Sequence, residues 1–80
     1  MQELENIRKK INQIDQKLSK LLQMRLAEVE KIGSIKRKKG LGLRSKKRES
    51  EILAKLKTEY EKEIFKKVFS QSLKIQKNIK

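Results

Sequence analysis

Apolar residues recur at helical spacing through most of the chain and divide it into three segments. In the first segment, from about Gln2 to Lys39, steps of three and four separate most of them, which is typical of one face of an α-helix. The stripe consists of Leu4, Ile7, Ile11, Ile14, Leu18, Leu21, Leu22, Val29, Ile32 and Ile35. Gly40-Leu41-Gly42 follows directly, and glycine has the backbone freedom that a helix end requires, so we predict that the helix stops there.

Two shorter helices are predicted after this stop. Ser45 suits the N-cap of the second helix, whose apolar stripe is Ile52, Leu53, Leu56 and Tyr60. The third helix is expected from about Lys62, with the apolar residues Ile64, Phe65, Val68, Phe69, Leu73, Ile75 and Ile79. No Gly or Pro marks the break between them, near residues 59–61. The pattern therefore predicts an all-α fold in a single domain, residues 1–80, with one long helix and two shorter ones.

The first helix is too long for a chain of 80 residues to cover. At its usual rise it would span roughly 50 Å, well beyond the diameter of a compact domain of this size. Two shorter helices cannot bury all of its apolar side. A second copy of the chain is the simplest cover, so we predict an obligate homodimer.

The composition excludes several kinds of chemistry. The sequence contains no Cys and no His, which removes disulfides, thiolate nucleophiles, the commonest general base and the commonest metal ligands. No apolar run is long enough for a membrane span or a secretory signal, so we expect a cytoplasmic protein with no membrane partner.

Positive charge is concentrated in the middle of the chain. The net charge is +13, and residues 34–48 alone contribute +8, with eight basic and no acidic side chains. A field of this sign attracts anions such as nucleic acid, phosphates or small carboxylates, and charge alone does not choose among them.

Five polar residues fall on the apolar faces of the predicted helices. They are Arg25, Lys36, Glu49, Ser72 and Gln76. Each alone has an ordinary structural explanation, such as a lysine stem that packs while its head reaches water, or a carboxylate favoured in a first helical turn. Because burying unpaired cations is expensive, two cations, a carboxylate and two neutral hydrogen-bonding groups on three inward faces together indicate a pocket.

The predicted pocket is cationic. With Arg8 and Arg48 nearby, it suits a compact ligand that carries two carboxylates, because a guanidinium group matches a carboxylate with two parallel hydrogen bonds. Arg8 precedes Arg25 by 17 residues on one helix, which places the two about 25 Å apart. One small ligand cannot reach both from a single chain. If both serve one site, Arg8 must come from the partner subunit.

Several stretches of the sequence, taken in order, resemble the all-α chorismate mutases. The similar stretches are residues 4–15 (LENIRKKINQID), 21–25 (LLQMR), 32–36 (IGSIK), 48–49 (RE), 64–65 (IF) and 72–76 (SLKIQ). They cover almost the whole chain, and the spacing from Arg8 through Arg25 and Lys36 to Arg48-Glu49 fits the family without a gap. The resemblance implies an intertwined homodimeric bundle of three-helix chains with shared active sites. It also implies rearrangement of chorismate to prephenate, in phenylalanine and tyrosine biosynthesis, without a metal, cofactor or covalent intermediate.

The resemblance also assigns roles by position. It implies that Arg25 and the partner subunit's Arg8 bind the substrate carboxylates. Lys36 would bind a carboxylate and the ether oxygen of the breaking bond, Gln76 would donate to the same oxygen, and Glu49 would hold the ring hydroxyl.

Further residues complete the implied site. Arg48 and Ser72 would support the ring-carboxylate side. The apolar walls would be formed by Ile32, Phe69 and Leu73. Many family members have Asp where this chain has Ser45. The contact there is partly through the backbone, so we expect the effect of this difference to be mild. The connection between the second and third helices is also very short here, which should leave the site intact.

Three other functions fit parts of the sequence. Isochorismate pyruvate-lyase uses the same fold and a similar cationic pocket, although the Glu49 and Gln76 positions match the mutase pattern. A basic helical nucleic-acid-binding dimer would use residues 36–39 and 46–48, but the chain has few aromatic side chains for base stacking, so we do not expect nucleic acid. A third alternative is a non-catalytic dimerisation or regulatory domain.

Overall fold

A computed structural model describes residues 1–78, which form three α-helices. These are α1 (Gln2–Lys39), α2 (Lys46–Lys55) and α3 (Glu59–Asn78). The described residues contain no strand, so the all-α prediction is confirmed. Ile79, which we assigned to the third helix, lies outside the described residues.

The end of α1 is set by Gly40. This residue adopts the left-handed conformation, with φ 67°, and its N–H donates to the carbonyl of Arg37. The next N–H, of Leu41, donates to the carbonyl of Lys36 at 2.8 Å. A side chain disfavours this backbone conformation, so glycine is the residue that can close the helix here.

The boundary between α2 and α3 differs from the prediction. The break falls at residues 56–58, and Thr58 and Glu61 close it with reciprocal hydrogen bonds. The Thr58 hydroxyl accepts from the N–H of Glu61 at 3.1 Å, and the Glu61 carboxylate accepts from the N–H of Thr58 at 3.3 Å. This arrangement is a capping box, which satisfies exposed donors at a helix start. Tyr60 therefore belongs to α3 and is 79% exposed, so its assignment to the second helix, and the start near Lys62, were wrong.

The packed part of the molecule lies at one end of α1. Helix α3 packs against both α1 and α2, and the buried residues are Val29, Gly33, Phe69 and Gln76. From Gln2 to Met24, every residue of α1 is exposed in the described chain. The molecule is accordingly elongated, 56 × 25 × 15 Å. None of the described helices is long and apolar enough to cross a membrane.

Candidate active site

A cavity of about 290 Å³ lies where α1, the start of α2 and the second half of α3 meet. Its walls combine cations, one carboxylate, neutral hydrogen-bonding groups and apolar side chains. The lining residues are Arg25, Val29, Ile32, Lys36, Leu43, Arg44, Ser45, Arg48, Glu49, Ile52, Phe69, Ser72, Leu73 and Gln76.

Arg25 is fixed in this cavity by a chain of hydrogen bonds. Its guanidinium donates to the Ser72 hydroxyl at 2.6 Å, and that hydroxyl donates to the carbonyl of Val68 at 2.7 Å. Because the hydroxyl proton is committed to Val68, the Ser72 oxygen can only accept from Arg25. The remaining guanidinium donors stay available on a side chain whose direction is set.

The surroundings of Arg25 disfavour its positive charge. Partial burial lowers the pKa of the Arg25 guanidinium, and the neighbouring charge of Arg48 lowers it further. An arginine remains protonated at any pH in which the protein works. The cavity therefore holds two mutually repelling cations, which an anionic ligand would stabilise.

Lys36 reaches across the connection between α1 and α2. Its ammonium group donates to the carbonyl of Leu43 at 2.9 Å, and the side chain is half-buried. Lys36 lies in the last turn of α1, so this contact ties the connecting segment to the helix that precedes it. The ammonium group has three donors, and one contact leaves others for a ligand.

Glu49 brings the single carboxylate of the cavity. It lies in the first turn of α2, where the helix dipole favours a negative charge. Its Oε1 atom is 3.2 Å from a guanidinium nitrogen of Arg44. Ser45 caps the same helix, and its hydroxyl accepts from the N–H of Arg48 at 3.4 Å. The predicted N-cap at Ser45 is thus confirmed.

Gln76 is the most enclosed polar residue of the cavity. The residue is only 8% exposed, and the Oε1 atom of its side chain has no hydrogen-bond partner among residues 1–78. A buried polar atom left unpaired costs about 1–3 kcal/mol. Because Oε1 is an acceptor, the Gln76 amide offers an anion or an ether oxygen only its Nε2 donors.

Aromatic and aliphatic side chains form the remaining walls. Phe69 is buried, and its ring meets that of Phe65 edge-to-face with centroids 6.0 Å apart. Ile32 and Leu73 line the cavity beside it. These apolar groups lower the polarity of their side of the cavity, which strengthens electrostatic interactions there.

All the predicted site residues except Arg8 lie around this cavity. The five polar residues that interrupted the apolar stripes are brought together there, as the pocket hypothesis requires. Arg8 is exposed on the part of α1 that extends away from the packed end. The sequence analysis did not assign Val29, Leu43, Arg44 or Ile52 to the site. Val29 and Ile52 belonged to the apolar stripes, whereas nothing in the helical pattern marked Leu43 or Arg44.

The described residues offer no candidate metal centre. Within residues 1–78, no three Asp, Glu, His or Cys side chains come together in a group that could hold a metal ion. The chemistry available to the cavity is that of cationic and neutral hydrogen-bond donors around one carboxylate.

Comparison with known proteins identifies a family. The sequence model of the family described as chorismate mutase type II matches residues 7–77. The match includes most of α1, the whole of α2, α3 except its last residue, and every residue of the cavity. Searches of curated proteins and of solved structures found no match.

Proposed function

This chain belongs to the chorismate mutase type II family, and we propose that its cavity holds chorismate while the substrate rearranges to prephenate. The observation that carries the proposal is the convergence of Arg25, Lys36 and Gln76 on one partly apolar cavity. The reaction is an intramolecular rearrangement in which a C–O bond breaks and a C–C bond forms. It requires no nucleophile, acid or base, so a site of cationic and neutral hydrogen-bond donors around one carboxylate is sufficient.

The first task of the site is to fold the substrate. Chorismate carries two carboxylates, and its enolpyruvyl arm must lie over the ring before the new bond can form. Arg25, oriented by Ser72, would bind one carboxylate, with Arg48 supporting the ring-carboxylate side. Holding the two reacting carbons in contact means that the conformational entropy of the arm is lost on binding and not in the reaction step, which is orientation catalysis.

The second task is to stabilise charge on the breaking bond. Negative charge develops on the ether oxygen as the C–O bond lengthens. Lys36 and the Gln76 amide would donate to this oxygen, and they lie on α1 and α3, on two sides of the cavity. Donors already aligned in a partly dry site are often the largest contribution to catalysis.

The remaining residues would select and enclose the substrate. Glu49 would accept a hydrogen bond from the ring hydroxyl, and Ser45 lies at the same end of the cavity. Apolar walls from Ile32, Phe69 and Leu73 would contact the ring faces.

We propose that two copies of the chain complete each site. The exposed apolar stripe of α1 supports this, since Ile7, Ile14 and Leu21 are 54%, 60% and 60% exposed. A face of this kind is expected to be covered by a partner. The partner subunit's Arg8 would then supply the second carboxylate-binding cation, consistent with its place far from the cavity of its own chain.

The family resemblance supports two further proposals. We place the enzyme in phenylalanine and tyrosine biosynthesis and in the cytoplasm, where the family generally acts. We also propose that residues 1–80 work as one domain, since the family match and the three helices occupy one continuous stretch.

One assay tests the proposed function. Purified protein is mixed with chorismate, and the loss of chorismate absorbance and the formation of prephenate are followed; we expect both. Isochorismate is tested separately. Release of pyruvate from isochorismate, with no prephenate from chorismate, would favour the lyase. Absence of both reactions, together with a salt-dependent gel shift on nucleic acid, would favour the basic binding module.

A further inference from the structure

Arg44 lines the cavity, and its guanidinium contacts Glu49. It lies just before the N-cap of α2, and its Nη2 atom is 3.2 Å from the Glu49 carboxylate. The Glu49 side chain is 22% exposed and the Arg44 side chain 53%, so the guanidinium approaches the carboxylate from the solvent side. Glu49 has a proposed role in binding chorismate, whereas Arg44 has none.

The segment that carries Arg44 is held from the other side as well. The carbonyl of Leu43, its neighbour, accepts a hydrogen bond from Lys36 at 2.9 Å. Ser45, its other neighbour, caps α2. The backbone on both sides of Arg44 is thus anchored, which directs an otherwise exposed side chain toward Glu49.

The charge of Glu49 poses a difficulty for a site that binds a dianion. An unpaired carboxylate in the cavity would repel both carboxylates of chorismate. Pairing with Arg44 gives a group of zero net charge, and it leaves Arg25, Lys36 and Arg48 free to act on the substrate. The contact also occupies one carboxylate oxygen, so the other can face the ring hydroxyl.

Resting on the proposed function, we infer that Arg44 is a positioning residue that neutralises and orients Glu49 so that the cavity accepts a dianionic substrate. Chorismate, its transition state and prephenate carry the same net charge, so repulsion by an unpaired Glu49 weakens binding of all three alike. Removing the Arg44 charge then raises KM and leaves kcat nearly unchanged, as expected for uniform binding.

A double-mutant cycle tests the inference. Arg44→Gln in the wild-type background is expected to raise KM for chorismate about tenfold, because one close charge interaction in a partly exposed site is weakened. In the Glu49→Gln background the same change is expected to alter affinity less than about twofold, because no charge remains to be neutralised. Since Glu49→Gln is expected to turn over slowly, the cycle is closed on one quantity, the Kd for prephenate by calorimetry, which is measured for Arg44→Gln in both backgrounds.

Two further variants separate the specific role from general ones. Arg44→Lys keeps the charge and should restore most of the affinity. Lys47→Gln removes an equal charge from an exposed side chain of the same basic region, outside the cavity, and should leave KM within about twofold. Circular dichroism and the unfolding temperature check that each variant is folded.

Three results would overturn the inference. Equal tenfold losses with and without Glu49 would mean that Arg44 binds the substrate directly. Unchanged affinity in both backgrounds would mean that Arg44 is only a solvated surface cation, and a fall in kcat at constant KM would point to the reacting bond. Wild-type protein that converts no chorismate would instead refute the proposed function, which is a separate outcome.

Discussion

The Lys36 side chain both anchors the segment after α1, through its hydrogen bond to the Leu43 carbonyl, and lines the cavity. If it donates to the ether oxygen, Lys36→Ala should lower kcat by about 100- to 1,000-fold, the usual effect of removing one donor from a transition-state oxygen. The rate is measured from chorismate absorbance, with circular dichroism as the check on folding.

A pair of comparison variants isolates the charge of Lys36. Lys36→Gln retains a donor that can reach toward the Leu43 carbonyl but has no charge, and it should remain slow. Lys38→Ala removes an exposed cation two positions along the same helix and should keep the wild-type rate. A Lys36→Ala enzyme as fast as wild type would remove this residue from the mechanism.

Gln76 offers a test in which stability and activity move in opposite directions. The isosteric change Gln76→Met removes a buried amide whose Oε1 atom is unpaired among the described residues. We expect stability to be unchanged or higher by up to about 1 kcal/mol, because the desolvation penalty disappears. The rate should fall about 100-fold with the loss of one donor.

Thermal unfolding and the chorismate assay measure these two effects of Gln76→Met. Gln71→Met, at an exposed position of α3 outside the cavity, is the matched control. A variant that loses both stability and activity would identify Gln76 as a structural residue instead.

Most of the polar cavity residues were predictable because they interrupt an apolar stripe. Arg25, Lys36 and Gln76 each occupy an inward position of a helix, so periodicity alone singles them out. Arg44 could not be found in this way. It lies on the connection before α2, where there is no stripe to interrupt, and only the folded chain brings its guanidinium to Glu49.

At the scale of elements, the helix ends differ in how clearly the sequence marks them. Gly40 identifies the end of α1 correctly, since only a residue without a side chain readily adopts its positive φ. The start of α3 was misplaced because no Gly or Pro marks it. The signal was present as Thr58 followed three positions later by Glu61, a pattern typical of a capping box.

The capping box should stabilise the fold without serving the chemistry. Thr58→Ala removes the hydroxyl that accepts from Glu61 and should cost about 1 kcal/mol. For a chain of this size, that corresponds to an unfolding temperature lower by roughly 4–8 °C. Well below this temperature kcat should be unchanged, because neither residue lines the cavity.

Thr58→Ser keeps the hydroxyl and is the control for the capping box, with an unfolding temperature near that of wild type. A Thr58→Ala protein that melts with the wild-type midpoint would show that the start of α3 is held by packing alone.

At the scale of the whole molecule, the two halves of α1 have different surroundings. The half near Val29 and Gly33 packs within the chain, whereas residues 2–24 are exposed throughout. The length of the helix already indicated from the sequence that the two shorter helices cannot cover all of its apolar side. The proposed cover for the exposed half is a second chain, and the geometry of such a partner cannot be derived from the periodicity of one chain.

The shared site can be tested by mixing two inactive chains. Arg8→Ala and Arg25→Ala should each be slow, because each removes a carboxylate-binding cation. If the two chains are unfolded and refolded together, half of the dimers are heterodimers. One site of each heterodimer then combines an intact Arg25 with the partner subunit's Arg8, so activity should return to about a quarter of the wild-type value.

The control for this mixing experiment is the same pair of variants combined without unfolding and assayed before subunits exchange, which should remain inactive. Dilution provides a second measurement, since a site built from two chains loses specific activity when the dimer dissociates. Refolded mixtures that are no more active than their components would contradict a site shared between two chains, and would leave only a site in which both cations come from one chain. The distance of about 25 Å along α1 excludes that for a single small ligand, so Arg8 would then have no part in binding chorismate.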